Sequence, residues 1–301
     1  MWIETDLEPD DVLALFILPK AKYFVVGEGD ANIKFNRMIQ YSKLLNNNSS
    51  IIIQGINSFN QFPLDGNEFD SLSHLSCEQN YLDNFTKFAT SEDPIMFSLK
   101  PMRELVNEYI KDKELIKKLV SNITLYAYGG YNFRCLFKDF KEELLELIHQ
   151  FKKVYIYESF YVSGNKNSVN KYNAENLYKF FNETNNEYFK ILSKLIYNWN
   201  MDLKNKIISS INNLNIDEDS KKRQQKILEN INNNEKFQFV LADFGLAAVY
   251  RNIDAVPIKN LQFTNYTIFE PSTRDTNIYA YQNISFDIIL NLLQNYIENI
   301  N

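Results

Sequence analysis

Short apolar runs alternate with stretches of helical periodicity over the first 60 residues, a pattern that delivers strands between helices onto a parallel sheet. Met1 to Thr5 predicts a very short strand, Pro9 to Leu18 a helix, Tyr23 to Gly27 a strand, Ile33 to Leu45 an amphipathic helix and Ile51 to Gln54 another strand. Pro9 suits a first helical turn, where its missing N–H costs nothing. From Gly55 to about Asp93 periodicity fades among turn formers, which predicts a long surface loop with one short helix. A second series follows: a helix over Met102 to Val120, a strand at Asn122 to Ala127, a helix from about Cys135 to Phe151 and a strand at Lys153 to Tyr157. Ala174 to Asn230 reads as mostly helical, with breaks at Asn182 to Asn186 and Asn212 to Asp217. Strand Phe237 to Ala242, helix Phe244 to Tyr250, strands near Leu261 to Thr267 and Ile278 to Tyr281, and helix Ser285 to Asn299 complete the chain. The expected fold is α/β, a mostly parallel central sheet flanked by helices. No repeat and no Pro/Gly/Ser linker marks a boundary, so residues 1–301 read as a single domain, with the helical segment of about 186–232 as an elaboration.

Composition narrows the function classes. With 301 residues, 45% apolar and 23% charged, the chain can bury a sizeable core. The net charge is −6 and the 32 basic residues are dispersed, which argues against a nucleic-acid partner. No long uncharged apolar run exists and the first residues are acidic rather than basic and apolar, so no membrane association and a cytoplasmic location are expected. Two cysteines and two histidines cannot build a disulfide framework, a thiolate zinc site or a histidine-rich centre. A metal here would be held by oxygen.

The sharpest local feature is Glu4-Thr5-Asp6-Leu7-Glu8-Pro9-Asp10-Asp11, five carboxylates within eight residues where a strand meets a helix. Ligands of parallel α/β sheets collect at the carboxyl ends of strands. Packed like charges raise one another's pKa unless a cation or donors compensate them, and Ca²⁺ tolerates irregular oxygen geometry better than Mg²⁺. The competing reading is a solvated acidic segment, with Asp10 and Asp11 simply favouring the positive end of a helix.

ETDLEPDDVLAL resembles the N-terminal DxDxxxDD signature of the inosine-uridine nucleoside hydrolases, and matching segments continue along the chain. The resemblance implies the fold of that family and a Ca²⁺ ion beside a bound ribose. Asp6 would be metal ligand and general base for the attacking water, Asp10 would hold ribose hydroxyls, and Asp11 would be a metal ligand, bidentate by the family's pattern. Glu4 replaces the family's first aspartate and takes no role. VVGEGDAN is similar to the second-strand segment and puts Asp30 at a ribose-contacting asparagine. ITLYAYGGYNFRCL resembles the segment whose backbone carbonyl ligates calcium, which implies Tyr128. YESFYVSGNKNSVN lines up with a ribose-gripping segment and implies Asn165, Ser168 and Asn170. LADFGLAAVY resembles the strand-to-helix step that provides the last calcium ligand, Asp243, while Ala242 stands where many members carry a histidine that protonates the leaving base. The same letters resemble the magnesium-binding loop of protein kinases, but no glycine-rich loop or His-Arg-Asp segment precedes them.

The implied activity is calcium-dependent hydrolysis of a ribosyl N-glycosidic bond, releasing a free base from a nucleoside or related small-molecule riboside of purine or pyrimidine salvage. The alternative is a catalytically impaired relative that binds a ribosyl ligand as a binding or regulatory module. Glu158, after strand Val154 to Tyr157, is a further candidate for a sugar hydroxyl or for proton donation, or else for a peripheral salt bridge. His74, in the loop Ser71 to Asn80, reads as a surface histidine or else as an acid that swings in, and His149 reads as a structural group or a cation at a helix C-terminus. The resemblance also implies a homodimer or homotetramer.

Overall fold

A computed structural model describes residues 1–18, 20–57, 80–129, 136, 140–158, 171–173, 181, 183, 185–212, 218, 221–222, 225, 228–229, 238–240, 242–251, 259–265, 268–271, 277–282 and 291–296. The chain divides into two compact units, Met1–Gln61 with Leu72–Asn170 and Leu241–Asn301, and Phe62–Ser71 with Lys171–Val240.

The larger unit is built on strands β1 (Trp2–Thr5), β2 (Tyr23–Val26), β3 (Ile51–Gln54), β4 (Ile95–Ser98), β5 (Thr124–Tyr128) and β6 (Lys153–Glu158). Helices α1 (Pro9–Ile17), α2 (Ala31–Leu44), α3 (Tyr81–Ala89), α4 (Arg103–Lys111), α5 (Lys113–Val120) and α6 (Lys141–Ile148) connect them. The smaller unit holds the antiparallel pair β7 (Lys171–Asn173) and β8 (Gln238–Val240) and the helix α7 (Glu187–Ile211), whose Phe189 stacks on Phe181. The larger unit then resumes with α8 (Ala242–Tyr250), β9 (Lys259–Asn265), β10 (Ile268–Pro271) and β11 (Ile278–Gln282).

The main sheet runs β10-β9-β11-β6-β5-β4-β1-β2-β3. The seven strands from β11 to β3 are parallel, and β9 and β10 add an antiparallel edge. From β1 the chain winds outward to β2 and β3, then returns to the other side of β1 for β4, β5 and β6. That reversal opens a switch point between β1 and β4, where ligands of such sheets settle. All four residues of β1 are buried, because helices cover both sheet faces.

Two aromatic layers hold the faces. Trp2 packs against Tyr23, Tyr81, Phe85 and Phe88 on the α3 side, with ring centroids 5.3 to 5.5 Å apart. On another face Phe97, Tyr126, Tyr155 and Tyr279 stack in succession across β4, β5, β6 and β11, and Tyr250 meets Phe97 and Tyr126 edge-on. Such stacked and T-shaped pairs add about 0.5–1.5 kcal/mol each beyond their buried area.

One element is added to the expected set and one expectation is corrected. Ile95–Ser98 is a strand, placed centrally between β1 and β5; its run of three apolar residues is too short to carry a period that would mark it. The single helix predicted over 102–120 is two helices broken at Asp112, which ends α4 in an extended conformation and caps α5 by accepting from the Leu115 N–H at 3.0 Å.

Candidate active site

Strand alternation sends Trp2 and Glu4 to one face of β1 and Ile3 and Thr5 to the other. The acidic segment therefore divides. Thr5 Oγ1 donates to Asp11 Oδ1 at 2.6 Å, and the Leu7 N–H donates to the same hydroxyl at 3.0 Å. Leu7 adopts a left-handed backbone with φ 54°, uncommon for a bulky residue, and this turns the chain sharply into α1. Glu8 caps α1 without a side-chain hydrogen bond, and Pro9, Asp10 and Asp11 form its first turn. All nine residues of α1 are buried, so Asp10 and Asp11 are interior groups and the solvated-segment reading is set aside.

Asp11 is fully buried, and its Oδ2 meets no hydrogen-bond donor among the described residues. Burial pushes its carboxyl well above the usual range, and Asp6 and Asp10 push it further; the Thr5 hydrogen bond opposes them. These couplings place Asp6, in the loop between β1 and α1, beside the first turn of the helix.

Asp243 is the second residue of α8. This helix packs along α1, and Arg251, just beyond its end, donates from Nε to the carbonyl of Ile17, the last residue of α1, at 2.7 Å. Two nine-residue helices that end together begin together, so the N-terminus of α8 lies at the same end of the sheet as Asp10 and Asp11. Gly245 permits the approach: a Cβ there would fall 2.3 Å from Cε1 of the buried Tyr157 at the end of β6. The Asp243 side chain lies outside the described residues. Among the described residues no three acidic, histidine or cysteine side chains gather to hold a metal. What is described fits a cation site: an oxygen-only donor set with a buried, donorless carboxylate oxygen suits a hard divalent cation.

The other predicted residues lie as follows. Asp30 is exposed and caps α2, accepting from the N–H groups of Asn32 and Ile33 at 3.0 and 3.2 Å, so its carboxylate does structural duty after β2. Tyr128 and Glu158 are the last residues of β5 and β6, at the carboxyl end of the sheet. Asn165, Ser168, Asn170 and His74 lie outside the described residues. His149 ends α6 just ahead of β6, at the opposite end of the sheet from the acids. Burial lowers its pKa, so it is a neutral structural group near neutral pH rather than a helix-end cation.

On the opposite face of β1 a second cluster emerges that sequence reasoning missed. Glu4 is fully buried and accepts from Trp2 Nε1 at 3.2 Å and from Tyr81 Oη at 2.8 Å. Lys100, just past β4, pairs with Glu104 of α4, whose Oε1 also accepts from the Ile56 N–H at 2.9 Å. Ser98 Oγ donates to the Lys100 carbonyl at 2.6 Å and fixes the turn that brings the lysine in. Arg103 pairs with Glu28 at 2.7 Å. Burial pushes the Glu4 carboxyl up to about 7 despite Lys100. Burial also works against the Lys100 ammonium, but Glu104 and Glu4 more than offset it and the net pKa is raised. Only the i, i+4 spacing of Lys100 and Glu104 was a sequence signal for this cluster.

No family model matches the chain, and no curated protein matches it. Solved structures do. An inosine-uridine preferring nucleoside hydrolase from Bacillus anthracis aligns with a TM-score of 0.60 over 99% of this chain and 98% of its own, at 10% identity. The type III effector protein XopQ, solved in complex with adenosine diphosphate ribose, aligns with a TM-score of 0.57 over 99% of this chain and 93% of its own, at 13% identity. The effector protein XOO4466 gives 0.59 over 99% and 92%, also at 13% identity. With its seven parallel strands, the β1/β4 switch point and the acids gathered beside it, the chain has the nucleoside-hydrolase fold.

Proposed function

We propose that this chain is a calcium-dependent hydrolase of ribosyl N-glycosidic bonds, acting on a nucleoside or related riboside. The observation that carries the reading is the buried Asp11 Oδ2, without a donor among the described residues and among other carboxylates, at the strand switch point of a nucleoside-hydrolase fold. Asp6, Asp11, the Tyr128 carbonyl and Asp243 would hold the ion. When bound, calcium lowers the pKa of a neighbouring water and neutralises the clustered acids. Asp6 takes the proton of the attacking water. Asp10 accepts hydrogen bonds from ribose hydroxyls and orients the anomeric carbon. The field of the remaining carboxylates favours the oxocarbenium-like charge that develops as the bond to the base lengthens. Glu158, Asn165, Ser168 and Asn170 would complete the sugar pocket, with Asp30 at its rim.

A second reading has its own support. Ala242 stands at the step where the resembled family carries a histidine acid, and XopQ was captured with adenosine diphosphate ribose. On that reading the chain binds a ribosyl ligand without cleaving it.

The test is release of free base from purine and pyrimidine nucleosides, nucleotides, NAD and adenosine diphosphate ribose, with calcium and with EDTA. Chelator-sensitive release that Asp11→Asn abolishes supports hydrolysis. Saturable riboside binding without release from any substrate supports the second reading.

A further inference from the structure

We infer that Thr5 is the positioning residue for Asp11: its hydroxyl ties up Oδ1 and so leaves Oδ2 as the oxygen offered to a cation. A hydroxyl carries one proton. The Leu7 N–H donates to Thr5 Oγ1 at 3.0 Å, so a lone pair of that oxygen is engaged, and its proton goes to Asp11 Oδ1 at 2.6 Å. The distance is that of an ordinary hydroxyl-to-carboxyl hydrogen bond. Oδ1 is thus restrained, whereas Oδ2, also buried, has no donor among the described residues. The one hydroxyl joins three pieces of chain: the end of β1, the left-handed turn at Leu7, and the first turn of α1. Asp6 lies between two of them, so Thr5 also sets the spacing of Asp6 from Asp11. Thr5 is itself fully buried, where a hydroxyl persists only if its bonds are made.

The inference rests on the calcium reading, and the experiment separates the two. Calcium affinity of the full chain is measured by titration calorimetry and by the calcium-induced rise in the thermal midpoint, for wild type, Thr5→Val and Thr5→Ser. Valine keeps the shape and removes the hydroxyl; serine keeps the hydroxyl. Outer-sphere partners of metal ligands are worth about 10–100-fold in affinity, so Thr5→Val should weaken calcium by about that factor and Thr5→Ser should stay near wild type. Should Thr5→Val fail to fold, Thr5→Ala is held to the same criterion. Equal binding by the hydroxyl-free variant, or equal loss in Thr5→Ser, overturns the role of Thr5 while leaving the calcium reading intact. Wild type that binds no calcium overturns both.

Discussion

The end of β1 carries two buried acidic clusters, one on each face, and the protein treats them differently. On the α3 and α4 face Glu4, Glu28 and Glu104 are met by Lys100, Arg103, the Tyr81 hydroxyl and the Trp2 indole, although Glu4 Oε2, like Asp11 Oδ2, meets no donor among the described residues. On the α1 face Asp11 receives one hydroxyl from Thr5, makes no ion pair among the described residues, and feels chiefly other carboxylates. Both faces are equally dry, so burial alone does not distinguish them. The difference is the origin of the countercharge. One cluster is neutralised by the fold and behaves as a structural ion-pair network; the other meets no cation among the described residues, which is why the proposed calcium is assigned to it.

Breaking the neutralised side should cost the most. Lys100→Met leaves two interior carboxylates without their cation and is expected to destabilise the protein by about 3–5 kcal/mol, read from urea unfolding midpoints. A loss below about 1 kcal/mol would mean that the network is not the anchor described. Gly55→Ala acts on the same side with less force. A Cβ there would lie 2.2 Å from Glu104 Oε1 and 3.1 Å from the Val26 carbonyl, so overpacking of about 1–3 kcal/mol is expected. Unchanged stability would show that Glu104 has room to retreat.

Acid titration compares both sides at once. Glu4, raised from 4.5 to about 7, and Asp11, raised from 3.8, keep protons in the fold that the unfolded chain has released. The native state therefore binds more protons, and metal-free stability falls as pH rises from roughly 4.5 toward 7, by at most about 1.4 kcal/mol per pH unit for each group. Calcium should remove the Asp11 part and leave the Glu4 part. Unfolding series in EDTA and in calcium check this, and stability that climbs over the window contradicts it. The smallest change is expected from Asp11→Asn in EDTA: an amide replaces a carboxyl that the fold already holds toward its uncharged form, so stability should change little or rise, while the calcium-induced rise in thermal midpoint is abolished.

The contrast also shows what a sequence can carry. The acids of the β1 to α1 turn were legible because they are consecutive, and their spacing on a first helical turn already brought Asp10 and Asp11 together. The parallel order of most strands followed from apolar runs alternating with amphipathic helices. Strand β4 escaped because the short apolar run Ile95, Met96 and Phe97 shows no alternation, with Met96 and Phe97 buried and Ile95 half-buried. The Glu4 cluster escaped for a different reason: Tyr81, Lys100 and Glu104 lie about 80 to 100 positions away from Glu4, and only the crossover from β3 to β4 brings them to it. Asp30 was legible as an acid but not as a helix cap, since its role depends on where α2 begins.

The indole of Trp2 has one further consequence. Its N–H ends on the Glu4 carboxyl, and the chain holds only two tryptophans. A charge appearing at the nitrogen end of an indole shifts its excited state, so the emission of Trp2 should track the ionisation of Glu4. The first strand thus contains an intrinsic optical electrode, able to report the charge of the sheet's interior without a label.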